Sequence, residues 1–447
     1  MTSPLATSPL ATTPLATTRR AQLLVPLLCW LALIADGYDL FSYGATVPGL
    51  LAEPGWGVTA GSAGAVASLS LVGMLAGSLV AGTLTDLLGR RRLFLLSVTV
   101  FSLAMLVCGL APSFGSFTAA RVVAGFGIGG LLPTAVALTS EFSGSRQRSR
   151  ILGAVLTGPP VGGVLAAIAA LGWVAEGRFQ LVYVIAVVPL LLVPVAFVLL
   201  PESPAFLRSR GRKAEATAIA DRFGLPEAAA PSAPDPAARR SPVGALFADG
   251  RGPVTVALWV VNVASLLTVF GVSTWLPQIM RKAGYGVSSS IAFLLLYSAG
   301  AVVGTLIAAV LAERVGAKRM VLTGFGVATA SLLLLAATPP TLVAVVLVAL
   351  LGFGGLGTQN MVNDHVAGWY PAASRATGLG WALGIGRLGA IVGPTYGALF
   401  VGAGSAVVAS SLAFAAPALV GALVMAPLPR RGHQARVTED ELVAGAA

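Results

Sequence analysis

Long apolar runs separated by short polar punctuation dominate the chain. From residue 22 onward, stretches of about 20 or more mostly apolar residues recur, each closed by glycine, proline or charged groups. A helix needs about 20 such residues to cross a bilayer core, since each adds ~1.5 Å. A barrel strand needs only about 10, with alternating polarity, and these runs do not alternate. The pattern predicts twelve spanning helices, at roughly 22–50, 60–85, 93–111, 116–141, 150–172, 180–200, 254–277, 287–312, 319–337, 341–366, 376–402 and 406–427. The expected fold class is an all-α membrane protein, because lipid leaves backbone groups no partners outside a helix or a closed barrel.

The longest polar interruption, 201–253, falls between the sixth and seventh runs, and the runs on either side repeat. At an offset of 227 residues, GSLVAGTLTDLLGRRR (77–92) falls on GTLIAAVLAERVGAKR (304–319), and GFGIGG (125–130) on GFGGLG (352–357). Arg148 then falls on Arg375 and Gly153 on Gly380. Two six-helix halves in parallel orientation follow: 22–200 and 254–427, joined by a linker at 201–253. A tail at 1–21, with its repeated Pro-Leu-Ala-Thr theme, reads as disordered, and a second tail occupies 428–447. The linker reads as flexible, with a short amphipathic helix near 212–223. Paired halves of this kind place a substrate site at their interface and work by rocking one half against the other.

Composition narrows the class further. Of 447 residues, 56% are hydrophobic and 10% charged, against about 25% charged in soluble domains, which excludes a soluble enzyme. The net charge of +11 reads as topology rather than nucleic-acid binding. With both termini on one side, 23 of the 28 basic residues fall on that side, three (Arg178, Arg281, Lys282) on the other, and Arg121 and Arg387 within spans. Basic loops mark the cytoplasmic face, so termini and linker are expected there, in a cell membrane. Arg19-Arg20 lead into a full span without a cleavage site, so that run reads as the first helix rather than a signal peptide. Cys29 and Cys108 sit in apolar runs, and two histidines cannot build a zinc site. No phosphate loop, GxSxG or HExxH motif occurs. No cofactor, metal or catalytic residue is expected, and the chain is read as monomeric.

Several stretches carry a family resemblance. GTLTDLLGRRR (82–92) resembles the signature loop of the major facilitator superfamily, and AERVGAKR (312–319) its degenerate second copy. Arg121 with Gly125 and Gly129 is similar to that superfamily's fourth-helix motif, and PESPAFLRSRGR (201–212) resembles the post-helix-six motif of sugar porters. DGYD (36–39), TSEFSGSRQRSR (139–150), STWLPQIMRKAG (273–284) and YPAASRATGLGWALGIGRLGAIVGP (370–394) resemble the aromatic acid:proton symporter family. The resemblance covers about 22–427 and implies the major facilitator fold and proton-coupled import of a small aromatic carboxylate such as a hydroxybenzoate.

Ionisable groups inside spans are costly, so each is a functional candidate. Asp36 and Asp39, at i and i+3, share a helix face, and two close carboxylates resist double ionisation, as a proton carrier requires. The alternative is a permanent pair with an arginine. Arg121 is placed to pair with Asp36 or Asp39, and the resemblance favours that pairing. Arg387 offers a guanidinium for a substrate carboxylate, or for a structural Asp. Tyr38, Tyr43, Tyr297 and Trp381 are candidate stacking partners, and Asn262 a polar contact from the second half. Gly82, Asp86, Gly89, Arg90, Arg91, Glu141, Arg148, Glu313 and Arg375 form the expected latch and gate, Glu141 pairing with Arg146, Arg148 or Arg150. Asp364 and His365 are candidates for proton release, although a solvated pair at a helix end is the simpler reading. The rivals are a proton-driven exporter of drugs or metabolites, a carrier of another organic acid such as nicotinate, and a non-transporting receptor.

Overall fold

The computed structural model describes residues 14–143, 148–225, 243–371, 374–402 and 406–429, and these are helical with no strand among them. Among the described residues, eleven helices are long and apolar enough to cross a membrane: Leu23–Leu50, Ala60–Thr85, Arg90–Gly109, Phe114–Phe142, Arg150–Glu176, Gln180–Leu199, Gly252–Lys282, Val287–Val315, Ala317–Ala336, Thr341–Trp369 and Val407–Met425. The remaining expected span is the helix Arg375–Val401, long enough at 27 residues but diluted by Arg387 and seven glycines. The first helix starts at Pro14, inside the expected tail; proline suits a helix start, where its missing N–H is not needed. The tail residues 1–13 and 430–447, and the linker stretch 226–242, lie outside the described residues.

The internal repeat appears in the backbone. Gly89 and Gly316, 227 positions apart, break the chain between the second and third helices of their halves at φ 88° and 87°. Only glycine adopts that conformation at no steric cost. The basic residue two positions on then repeats its contact. Arg91 donates to the carbonyl of Phe197 near the end of the sixth helix. Lys318 donates to the carbonyls of Ala426 (2.7 Å) and Leu428 just past the end of the last one. Each cation meets the orphan carbonyls and negative dipole of a helix C-terminus.

The spans are not uniform helices throughout. The sixth span passes through a 3-10 stretch, Ile185–Leu191, at Pro189. The tenth contains a π-helical turn, Phe353–Gly357 (FGGLG), where glycine removes the side-chain crowding that keeps a helix regular. In the linker, Pro204–Ser209 and Lys213–Phe223 are helical, the second where an amphipathic helix was expected. It buries Ala216, Ala220 and Phe223, and Phe223 packs edge-on against Phe142 of the fourth span at 5.1 Å.

The halves meet along three pairs of helices: first against seventh, second against eleventh, fifth against eighth. Ser68 and Thr395 hydroxyls bond across the seam at 2.6 Å. Gly44 lies so close to the Ser273 backbone that a Cβ would overlap its carbonyl. Both contacts lie toward the end of the bundle opposite Gly89 and Gly316.

Candidate functional site

Inside the first half, Arg121 of the fourth span forms an ion pair with Asp39 of the first, both side chains 3% exposed. Two aromatic rings face the guanidinium, Tyr43 at 5.5 Å and Tyr183 at 5.8 Å, and the Met105 sulfur lies 3.3 Å from Nη1. The rings are themselves fixed. Tyr43 donates its hydroxyl to the Ala63 carbonyl at 2.6 Å, and the Tyr183 hydroxyl lies 2.5 Å from that of Thr46. Of the two candidate partners for Arg121, geometry selects Asp39. Arg121 Nε has no hydrogen-bond partner, which leaves the pair one donor short of full satisfaction. Beside it is a cavity of about 20 Å³, bounded by Asp39, Tyr43, Ser70 and Arg121 and, from the second half, Phe270 and Thr274. That is room for roughly one water. The pair therefore sits at the seam.

Asp36, one turn earlier, is 4% exposed. It lies within the electrostatic reach of Asp39 and, from the other half, Arg387. Between the two carboxylates, Gly37 presses on Pro159: a Cβ there would overlap the Pro159 backbone. Small residues allow such backbone contact between spans, and here the contact fixes the rotation of the first helix and hence where both acids point.

Arg387 crosses between halves. Its guanidinium donates to the Ser78 hydroxyl at 2.7 Å on the second span. Tyr297 also faces the other half, its ring 6.3 Å from Phe41 and its buried hydroxyl without a partner. Asn262 is fully buried and anchors a polar cluster that the sequence reading missed. Its Nδ2 donates to the Leu258 carbonyl at 3.0 Å, and its Oδ1 accepts from Gln359 Nε2 at 3.1 Å. Gln359 also donates to Asn363 at 3.0 Å, leaving its own Oε1 unpaired. The available signal was Gln359 and Asn363, two amides at i and i+4 in an apolar span just after the glycine-rich turn.

Other candidates lie elsewhere. Tyr38 turns into its own half and donates to the Val182 carbonyl at 2.7 Å. Trp381 is 42% exposed and stacks on Trp259 at 5.9 Å, away from the Asp39–Arg121 pair. Asp364 and His365 do not form a solvated pair: Asp364 is exposed while His365 is buried, its Nε2 unpaired. Adjacent helical residues point about 100° apart, which separates them.

At the end carrying Gly89, Arg90 pairs with Glu141 and donates to the Ser203 hydroxyl at 2.8 Å, and that hydroxyl bonds Glu141. Among the described residues the partner of Glu141 is thus Arg90. The turn at Gly89 delivers Arg90 to the end of the fourth span. Arg148 is exposed, and Arg146 lies outside the described residues. Glu202 accepts from the backbone N–H groups of Arg91 (3.1 Å) and Ser203 (2.9 Å), and Arg210 donates to the Leu87 carbonyl at 3.0 Å. The PES stretch is therefore docked on the signature loop. Glu313 and Arg375 are exposed, and Gly82 faces open space. The Asp86 side chain lies outside the described residues.

The family model for sugar (and other) transporters matches residues 26–426. The gentisate transporter of Corynebacterium glutamicum is 32% identical over 428 residues, 95% of this chain and 91% of that protein. The 4-hydroxybenzoate transporter PcaK of Pseudomonas putida is 32% identical over 429 residues, 91% of this chain and 92% of that protein. Among solved structures, a D-xylose-proton symporter superposes with a TM-score of 0.73 at 15% identity, over 91% of this chain and 98% of the other. That likeness establishes the fold, two six-helix halves related by pseudo-symmetry. Taken with the match over 26–426 and relatives similar along nearly their whole length, it means that the chain belongs to the sugar (and other) transporter family of the major facilitator superfamily and is a membrane transporter, not an enzyme.

Proposed function

We propose that the protein is a proton-coupled symporter that imports a small aromatic carboxylate across the cell membrane by alternating access. The observation that carries this reading is the buried Asp39–Arg121 pair at the seam, with Asp36 one turn away in the field of Arg387. Two carboxylates and two guanidiniums of opposite halves then share one region. Protonating an acid releases an arginine, and an incoming carboxylate takes the vacated charge. With proton and anion both bound, the region stays neutral, and closing it away from water costs least. The relatives named for gentisate and 4-hydroxybenzoate transport support an aromatic acid as substrate.

In this reading the termini, the linker and the Arg90–Glu141 latch face the cytoplasm, as the 23-to-3 distribution of basic residues requires. The halves are then closed at the outer end, where Gly44 meets Ser273 and Ser68 meets Thr395, and the conformation faces inward. Asp36 and Asp39 carry the proton, Arg121 tunes them, and Arg387 reaches for the anion. One chain suffices for the cycle.

The test is uptake of labelled gentisate, 4-hydroxybenzoate, protocatechuate and benzoate into proteoliposomes under an inward proton gradient. Gradient-driven accumulation of one acid, lost in Asp36→Asn and in Arg387→Ala, is the expected result. If no acid enters and the same vesicles instead expel a substrate against protons, the protein is an exporter and the reading fails.

A further inference from the structure

A pocket of about 660 Å³ opens where the third span begins and the sixth ends, against the linker helices. Five arginines line it: Arg91 and Arg92 from the signature loop, Arg210, Arg212 and Arg222 from the linker. Opposing them in the lining are Glu202 and Glu215. Both acids are already engaged. Glu215 accepts from Arg212 at 2.8 and 2.5 Å, which holds its carboxyl below the usual carboxylate range and keeps it ionised. Glu202 accepts the backbone N–H groups of Arg91 and Ser203. Arg91 Nε is buried with no acceptor.

The other wall is apolar. Val198, Leu199 and Leu200 line the pocket, and Val198 is 77% exposed. The Arg91 guanidinium lies 5.1 Å from the ring of Phe197, itself 62% exposed. Leu191 and Val195 continue that uncovered face along the sixth span. A spanning helix leaves such a face to acyl chains. The pocket thus joins an arginine cluster to a lipid-facing groove, at the level where a spanning helix ends.

We propose that this pocket binds the phosphodiester of an anionic membrane lipid, with its acyl chains along the sixth span. Guanidinium forks match phosphate oxygens two at a time, and Arg91 Nε gains the acceptor it lacks. Topology alone does not account for the cluster. A basic face needs only arginines on the correct side, and Arg148, Arg319 and Arg375 meet that need as exposed residues outside the pocket. The tight apolar junction also favours a lipid over free phosphate, which has no use for the groove.

The experiment uses the full chain in nanodiscs of phosphatidylcholine, with or without phosphatidylglycerol, beside the variant Arg92→Gln/Arg222→Gln, which spares every latch contact described above. The expected results are a rise of several degrees in unfolding temperature with phosphatidylglycerol, absent from the variant, and one phosphatidylglycerol retained on the wild-type protein in native mass spectrometry. An equal rise in wild type and variant overturns the proposal. So does retention of phosphatidylcholine as readily as phosphatidylglycerol on the wild type, a measurement independent of how well the variant folds. An equal rise from millimolar inorganic phosphate in phosphatidylcholine discs overturns the lipid as the source of the anion.

Discussion

Arg91 and Lys318 stand 227 residues apart and make the same kind of contact, each donating to backbone carbonyls at the end of the sixth helix of its half. The pairing explains why a basic residue recurs at this point in the repeat. It ties the loop after the second helix to the end of the sixth, across three connections of chain. Replacing Lys318 by Met removes two charge-assisted bonds and the favourable helix-end charge. The expected cost is about 1–3 kcal/mol, seen as a lower unfolding temperature of the purified protein. Lys318→Arg keeps the charge and should recover most of the loss.

The Asp39–Arg121 pair makes a sharper prediction. Removing one member leaves the other charged and buried, a loss of about 3–5 kcal/mol. Asp39→Asn and Arg121→Gln should each lower thermal stability strongly and abolish uptake. The double variant Asp39→Asn/Arg121→Gln removes both charges and should regain part of the stability while remaining inactive. Thermal unfolding and uptake measured on the same preparations check this. A double variant no more stable than either single one would mean that the surrounding rings, not the charges, hold the site together.

The sequence made some of this site legible and hid the rest for physical reasons. Asp36, Asp39, Arg121 and Arg387 stand out because ionisable groups are rare and costly in apolar spans. Gly89 and Gly316 were marked by the repeat, and their shared backbone conformation follows. Partner choice was not legible. Whether Arg121 meets Asp36 or Asp39 depends on the rotation of the first helix, which the contact of Gly37 with Pro159 sets. The same holds for Glu141, which meets Arg90 because the turn at Gly89 brings it there. Trp381 stands out by its closeness to Arg387 in sequence, yet its ring is stacked on Trp259 and partly exposed. Gln359 escaped because an amide is a weaker signal than a charge, although it bonds both Asn262 and Asn363 and leaves its own Oε1 unpaired.

The Arg90–Glu141 pair, with Ser203 bonded to both, joins the third span, the fourth span and the linker within one half. Both side chains are partly exposed, so the ion pair adds little to overall stability, about 1 kcal/mol or less. Its effect should fall on the balance of states instead. Glu141→Gln should leave the unfolding temperature nearly unchanged but alter the maximal transport rate several-fold, with little change in apparent substrate affinity. A parallel fall in stability and affinity would instead mark Glu141 as part of the packing.

Gly44 gives the most direct test of the inward-facing assignment. Its backbone meets that of Ser273 across the seam, and a Cβ would overlap the Ser273 carbonyl. That contact exists only while this end of the bundle is closed. Gly44→Ala should therefore disfavour the closed outer end and shift the population toward the state open there. Cys29 and Cys108 are both buried, so a single cysteine introduced at Ser273 reports access with little background labelling. The expected result is faster labelling by a membrane-impermeant maleimide from outside in the Gly44→Ala background than in the Gly44 protein. Because the clash is with backbone, the closed state can recover only by moving a whole helix, so larger residues than alanine should shift the balance further. Labelling that stays equal across Gly44, Ala and Val would mean that the two helices part at this level in every state, and the inward-facing assignment would fall.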